Sequence, residues 1–208
     1  MTTAPVTDGR SARSAKTRDS IADALLDLLA GGNLRPTAKE IAEQASVSVR
    51  SVYVHFDDLE DLFCVAANRH YARVAPVLEK VPTGGPLPER ARALVEQRSR
   101  IYTKIGAVGR ATQLQAPFSP TLARLVRDAH GRSRAELERV FAPELERLAP
   151  PVRRTMLATL DVLTSSAAWD MLRDGDGHGH ALPDDVARDC MVAAVLCQID
   201  ALSQVEEH

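Results

Sequence analysis

The 208 residues carry 26 Lys and Arg against 28 Asp and Glu, a formal net charge of -2. A balance so close to neutral excludes a chain that holds nucleic acid by bulk charge, so any such binding must come from a local patch. Helix-forming Ala, Leu, Arg and Glu dominate, aromatic residues make up 4% and no alternating strand pattern appears, which favours an all-α protein large enough to bury its own core.

The first twenty residues, MTTAPVTDGRSARSAKTRDS, hold no apolar targeting segment. No apolar run elsewhere approaches the roughly 20 residues of a membrane span, so the chain is expected in the cytoplasm, with no membrane partner. Arg10, Arg13, Lys16 and Arg18 form the one basic patch, and residues 1–13 read as a flexible basic arm. From about Ser14 to Ala30, Ile21, Leu25, Leu28 and Leu29 recur at helical spacing, and the Gly31–Asn33 stretch ends that helix. In PTAKEIAEQA, Thr37 is a natural N-cap and Glu40 completes a capping box. Ser46 to Ser48 breaks this second helix, and Ser48 caps a third over Val49 to His55. Asp57 or Asp58 caps a fourth, with Leu59, Leu62, Phe63 and Ala66 on one side until Pro76. VPTGGPLP, Val81 to Pro88, reads as a linker. Helical patterns follow at about 89 to 113, 119 to 131, 133 to 147, 151 to 173 and 184 to 204, for about nine helices in all.

The segment SVRSVYVHF, Ser48 to Phe56, is polar on one face and apolar on the other. A helix–turn–helix unit has this pattern: Ile41 and Val47 fill the junction, Val52 and Phe56 face inward, and the remaining side chains project outward. Arg50 has the fork that matches a guanine edge, Ser48 and Ser51 serve either base type, and Val49 suits a thymine methyl. Thr37, Lys39, Tyr53 and His55 are the kinds of group that hold phosphates and set register.

The stretch TAKEIAEQASVSVRSVYVHFDDLEDLF resembles the tetracycline-repressor (TetR) family of transcriptional regulators over about fifty residues. The resemblance implies a helix–turn–helix DNA-binding domain at 14–57, then a larger helical effector-binding and dimerisation domain at 58–208. It further implies a homodimer formed by the last two long helices on a near-palindromic double-stranded DNA operator, and a repressor released when a small, largely apolar ligand binds. Tyr102, Gln113, Phe118, His130 and Trp169 are the side chains expected to stack or hydrogen-bond in the ligand pocket. Three positions depart from the family pattern. Ser46 replaces the usual turn Gly, Arg50 an early Gly, and Leu59, beside Asp57 and Asp58, a Lys that commonly holds phosphate.

Other chemistry is weakly signalled. DGDGHGHALPDD, Asp174 to Asp185, imitates a calcium loop, but His178 is the wrong donor for that hard cation and Asp185 stands where a bidentate Glu is needed, so no metal and no cofactor is expected. Cys64, Cys190 and Cys197 lack zinc-site spacing and read as reduced thiols; Cys190 and Cys197, seven apart on one helical face, fit small buried residues near a dimer seam better than a redox sensor. An all-helical enzyme is disfavoured because Glu-x-x-His pairs, phosphate loops and nucleophile elbows do not occur. A partner-binding helical module without DNA affinity is the remaining alternative.

Overall fold

The computed structural model describes residues 9–74, 80–174 and 181–205. Among them are ten α-helices and no strand: α1 (Gly9–Ala30), α2 (Ala38–Gln44), α3 (Val49–His55), α4 (Leu59–Val74), α5 (Leu87–Gln115), a 3-10 turn (Ala116–Phe118), α6 (Pro120–Val140), α7 (Ala142–Leu145), α8 (Pro150–Leu163), α9 (Ser166–Asp174) and α10 (Asp184–Val205). They form two compact units, Met1–Ala75 with Ile105–Val126 and Pro76–Lys104 with Arg127–His208.

In the first unit α1 packs on α2, α3 and α4. Ile21, Leu25 and Leu29 recur every four residues along α1 and are buried together with Ile41, Val52, Phe56 and Leu62. Removing this apolar area from water is what holds four short elements in place. At the surface, Arg69 reaches Asp19 (2.9 Å) and Asp23 (3.3 Å), and Arg73 reaches Asp23 (3.0 Å), so α4 is also aligned to α1 by charge. α1 begins at Gly9, five residues before the expected Ser14, since nothing between Gly9 and Ser14 breaks a helix. The described part of the basic arm is therefore helical, and residues 1–8 lie outside the described residues.

The second unit is built around Leu94, Val95, Leu137, Phe141, Met156, Leu160, Trp169, Met191 and Val195. Two helix boundaries differ from expectation. Patterns expected at 119–131 and 133–147 become one helix, α6, that runs through Gly131, followed by the single turn of α7. A Gly in a helix costs only about 1 kcal/mol, whereas Pro143 cannot continue the helix, so the break falls at Phe141. The expected long helix at 151–173 is instead α8 and α9. Thr164 leaves helical geometry (φ -111°, ψ 20°), and Ser165 caps α9 by accepting from the Ala168 N–H at 3.1 Å. The buried Arg98 guanidinium fixes this corner, donating to the carbonyls of Thr164 (2.9 Å) and Ser133 (2.8 Å) and to the Thr164 hydroxyl. Only α10 is thus a long, unbroken terminal helix.

α5 also departs from a plain helix. Gly106, with φ 45° and ψ -133°, is non-helical inside it, in a region that only Gly adopts without strain.

Candidate nucleic-acid interface

Local sequence builds the interface in three steps. Thr37 and Glu40 form the capping box reciprocally: the Glu40 N–H donates to the Thr37 hydroxyl oxygen (3.3 Å), and the Thr37 N–H (2.7 Å) and hydroxyl (2.6 Å) donate to the Glu40 carboxylate. Asn33 adds a third donor to Glu40 at 3.2 Å. These hydrogen bonds, led by the Thr37 hydroxyl, hold the Glu40 carboxyl below the usual carboxylate range.

The turn between α2 and α3 comes next. The Val47 N–H reaches the Ala42 carbonyl (2.9 Å) and the Ser46 N–H that of Glu43 (3.1 Å), the pair of bonds that defines a Schellman motif. Its geometry requires a left-handed residue at Ser46, whose φ is 55°. Among the described residues Ser46 is the one non-Gly with positive φ, so the sequence departure noted above is a point of backbone strain. Ser46→Gly is expected to raise stability by about 0.5–1 kcal/mol, the left-handed cost of Ser less the extra chain entropy of Gly. Urea denaturation followed by circular dichroism measures it, and a lower midpoint for the variant contradicts the account.

Finally, Ser48 caps α3 by accepting from the Ser51 N–H at 3.1 Å, and the Phe56 N–H closes the helix on the Val52 carbonyl at 3.0 Å. Val52 and Phe56 are buried, which fixes the rotation of α3 about its axis. The face left outward carries Val49, Arg50, Tyr53 and Val54, all exposed, with Tyr53 at 51% and Val54 at 70%. Ser51 and His55 are half-buried at its flanks, while Thr37, Lys39 and Ser48 are exposed. Val54 was missed by the sequence reading, although it lies one helical turn from Arg50. The hydroxyls of Thr37 and Ser48 already serve as caps. Lys39 makes only a loose pair with Glu43 (3.9 Å) with both side chains exposed, which water and salt screen.

Acidic neighbours turn out to have structural duties. The Asp58 carboxylate accepts from the Asp61 N–H (2.7 Å) at the start of α4. Leu59 is half-buried against the core of the first unit. Arg18, read as part of a basic arm, lies 4.7 Å over the Phe56 ring and 3.9 Å from Asp61.

The five side chains expected in a ligand pocket divide between the units. In the second, Tyr102 donates its hydroxyl to the Thr164 carbonyl (2.7 Å), and burial pushes its phenol up. Trp169 is buried under the Arg173 guanidinium, 5.7 Å from its ring, and His130 is exposed. In the first, Gln113 and Phe118 are exposed. Of the five, Phe118 alone lines the 210 Å³ cavity of that unit, with Leu25, Leu34, Ile41, Leu59 and Phe63. Half of the calcium-like loop, residues 175–180 with Asp176, His178 and His180, lies outside the described residues.

No protein-family model matches the sequence, and neither does any curated protein. Solved structures do match. A transcriptional regulator from Rhodococcus sp. Rha1 is 24% identical over 90% of this chain and 96% of its own, with a TM-score of 0.61. A TetR-family regulator from Rhodococcus sp. is 18% identical over 88% and 99%, at 0.58. The multidrug binding protein EbrR, solved with imidazole, is 24% identical over 85% and 93%, at 0.51. The chain has the all-α fold of these regulators. Among the described residues no helix is long and apolar enough to cross a membrane.

Proposed function

We propose that this chain, having the fold of TetR-family regulators, is a homodimeric, ligand-responsive DNA-binding repressor of the cytoplasm and not an enzyme. Residues 14–57 serve as the reading head and 58–208 as the effector-binding and dimerisation domain. The observation that carries the reading is the outward face of α3: Val49, Arg50, Tyr53 and Val54 stand free of the core on a helix held by a cap at one end and by Phe56 at the other. Seven residues of helix are roughly 10 Å long and cover only about three base pairs, too few to specify a site. A two-fold pair about 34 Å apart doubles the contact and requires a near-palindromic operator.

Arg50, Val49 and Ser51 read base edges, while Lys39, Tyr53, His55 and the capped turns at Thr37 and Ser48 hold the backbone. A small, largely apolar effector releases the operator by favouring a conformer whose two heads no longer match the DNA spacing. That EbrR was solved with a small molecule supports an effector of this size class.

A salt-dependent gel shift on the promoter fragment beside the chain's own gene tests the reading. Lys39→Ala is expected to weaken binding to specific and unrelated fragments alike and to lower the slope of log K against log salt by about one. An unchanged slope, or a parent protein that binds every fragment equally, contradicts it.

A further inference from the structure

Helix α10 buries Ala187, Met191, Val192, Val195 and Ile199; beside the exposed Asp185, Asp189 and Asp200 it carries one outward strip of Val186, Cys190, Ala193, Cys197 and Ala201, all exposed, with Ala194 half-buried. These six outward residues are small or apolar. They are also placed symmetrically about the midpoint between Ala193 and Ala194: Cys190 and Cys197 stand three and a half residues to either side, Val186 and Ala201 seven and a half. With about 100° of rotation per residue, all six fall within about 50° of one line along the helix, and the two cysteines within about 10° of it.

A stripe with this symmetry matches itself. In a two-fold interface, if one residue meets a second on the partner, the second meets the first in return. An antiparallel crossing of α10 with its twin at Ala193 and Ala194 sets small side chains where the axes are closest. It then pairs each Cys190 with a Cys197 across the seam. For interaxial distances of about 8–10 Å at the common crossing angles, the paired Cα atoms lie about 4–7 Å apart, the span of a disulfide. Within one chain the same two cysteines are two turns and roughly 10 Å apart, beyond that span.

We infer that Cys190 of each protomer faces Cys197 of the partner subunit, forming a thiol pair that a peroxide converts into two interchain disulfides stapling the dimer. This rests on the homodimer proposed above. One thiolate attacks the peroxide, the O–O bond breaks, a water leaves and a sulfenic acid forms. The facing thiolate then attacks that sulfur, the S–S bond forms, and the departing hydroxide takes a proton as a second water. Each disulfide thus consumes one hydrogen peroxide, reduced by the two electrons that the thiols lose. A stapled dimer no longer dissociates on dilution, so its operator occupancy follows the first power of its concentration rather than the square of the protomer concentration.

The test uses the full chain carrying Cys64→Ser, treated with hydrogen peroxide and run on non-reducing gels, with light scattering under reducing conditions. A non-covalent dimer that becomes covalent, reversibly with dithiothreitol, is expected. Cys190→Ser and Cys197→Ser should each abolish the covalent band. Refolding the two variants together in equal amounts should restore it in about half of the protein, through mixed dimers with one disulfide. A covalent dimer that survives either single substitution, or a dimer that never cross-links, overturns the inferred pairing and leaves the homodimer standing. A monomer by light scattering overturns both.

Discussion

Phe56→Ala is expected to destabilise the first unit by about 3–5 kcal/mol, the usual cost of emptying a large buried aromatic site. Phe56 is 1% exposed and belongs to the same core cluster as Ile21, Leu25, Val52 and Leu62. The ring also lies beneath the Arg18 guanidinium, and the Phe56 N–H closes α3. No single helix of the head is long enough to persist alone, so losing the residue that α1 and α3 share removes the support of the reading helix. Against a total domain stability of about 5–15 kcal/mol, the loss is a large fraction. Urea denaturation monitored by circular dichroism measures it, with DNA binding lost in step at the working temperature. A decrease below about 1 kcal/mol would place the ring outside the core and contradict the packing described.

Arg50→Ala is expected to narrow the preference for the operator over single-base variants at the contacted position by about 5- to 150-fold, corresponding to about 1–3 kcal/mol for a bidentate base contact. Arg50 is exposed on the outward face beside Val49 and Val54, so its removal leaves the core intact and the parent's melting midpoint in place. The contrast with Lys39→Ala distinguishes base reading from phosphate holding: the first substitution changes the ranking of sequences, the second lowers all of them together. Competition gel shifts across a panel of operators with one pair changed at a time provide the measurement. An unchanged ranking for Arg50→Ala would remove Arg50 from the reading role.

What was legible in the sequence was local. The capping box of Thr37 and Glu40, the Ser48 cap and the inward pair Val52 and Phe56 depend on neighbours within one or two helical turns, and spacing alone reveals them. The corner at Thr164 was not legible, because Arg98 and Tyr102, more than sixty residues earlier in the chain, hold it. Ser165 then looks like one more polar residue in an apolar period, although it caps α9. Arg18 illustrates the same limit: in a basic run it reads as a solvated charge, yet its guanidinium covers Phe56. The departure at Ser46 was visible as a residue type, while its left-handed backbone emerged only with the fold. Pocket residues were least legible. Side chains that line a cavity carry no periodic signature, and the five expected ones fall in different units.

Two α3 helices, one from each of two copies, entering successive major grooves of one duplex is the central claim. Sedimentation equilibrium of the full chain with a near-palindromic duplex at low and at raised salt, combined with hydroxyl-radical footprinting, tests it most directly. Two protomers per duplex are predicted, with protected patches about one helical turn apart and an affinity that falls steeply as salt rises. A single protomer that leaves the duplex unprotected even at low salt would contradict it.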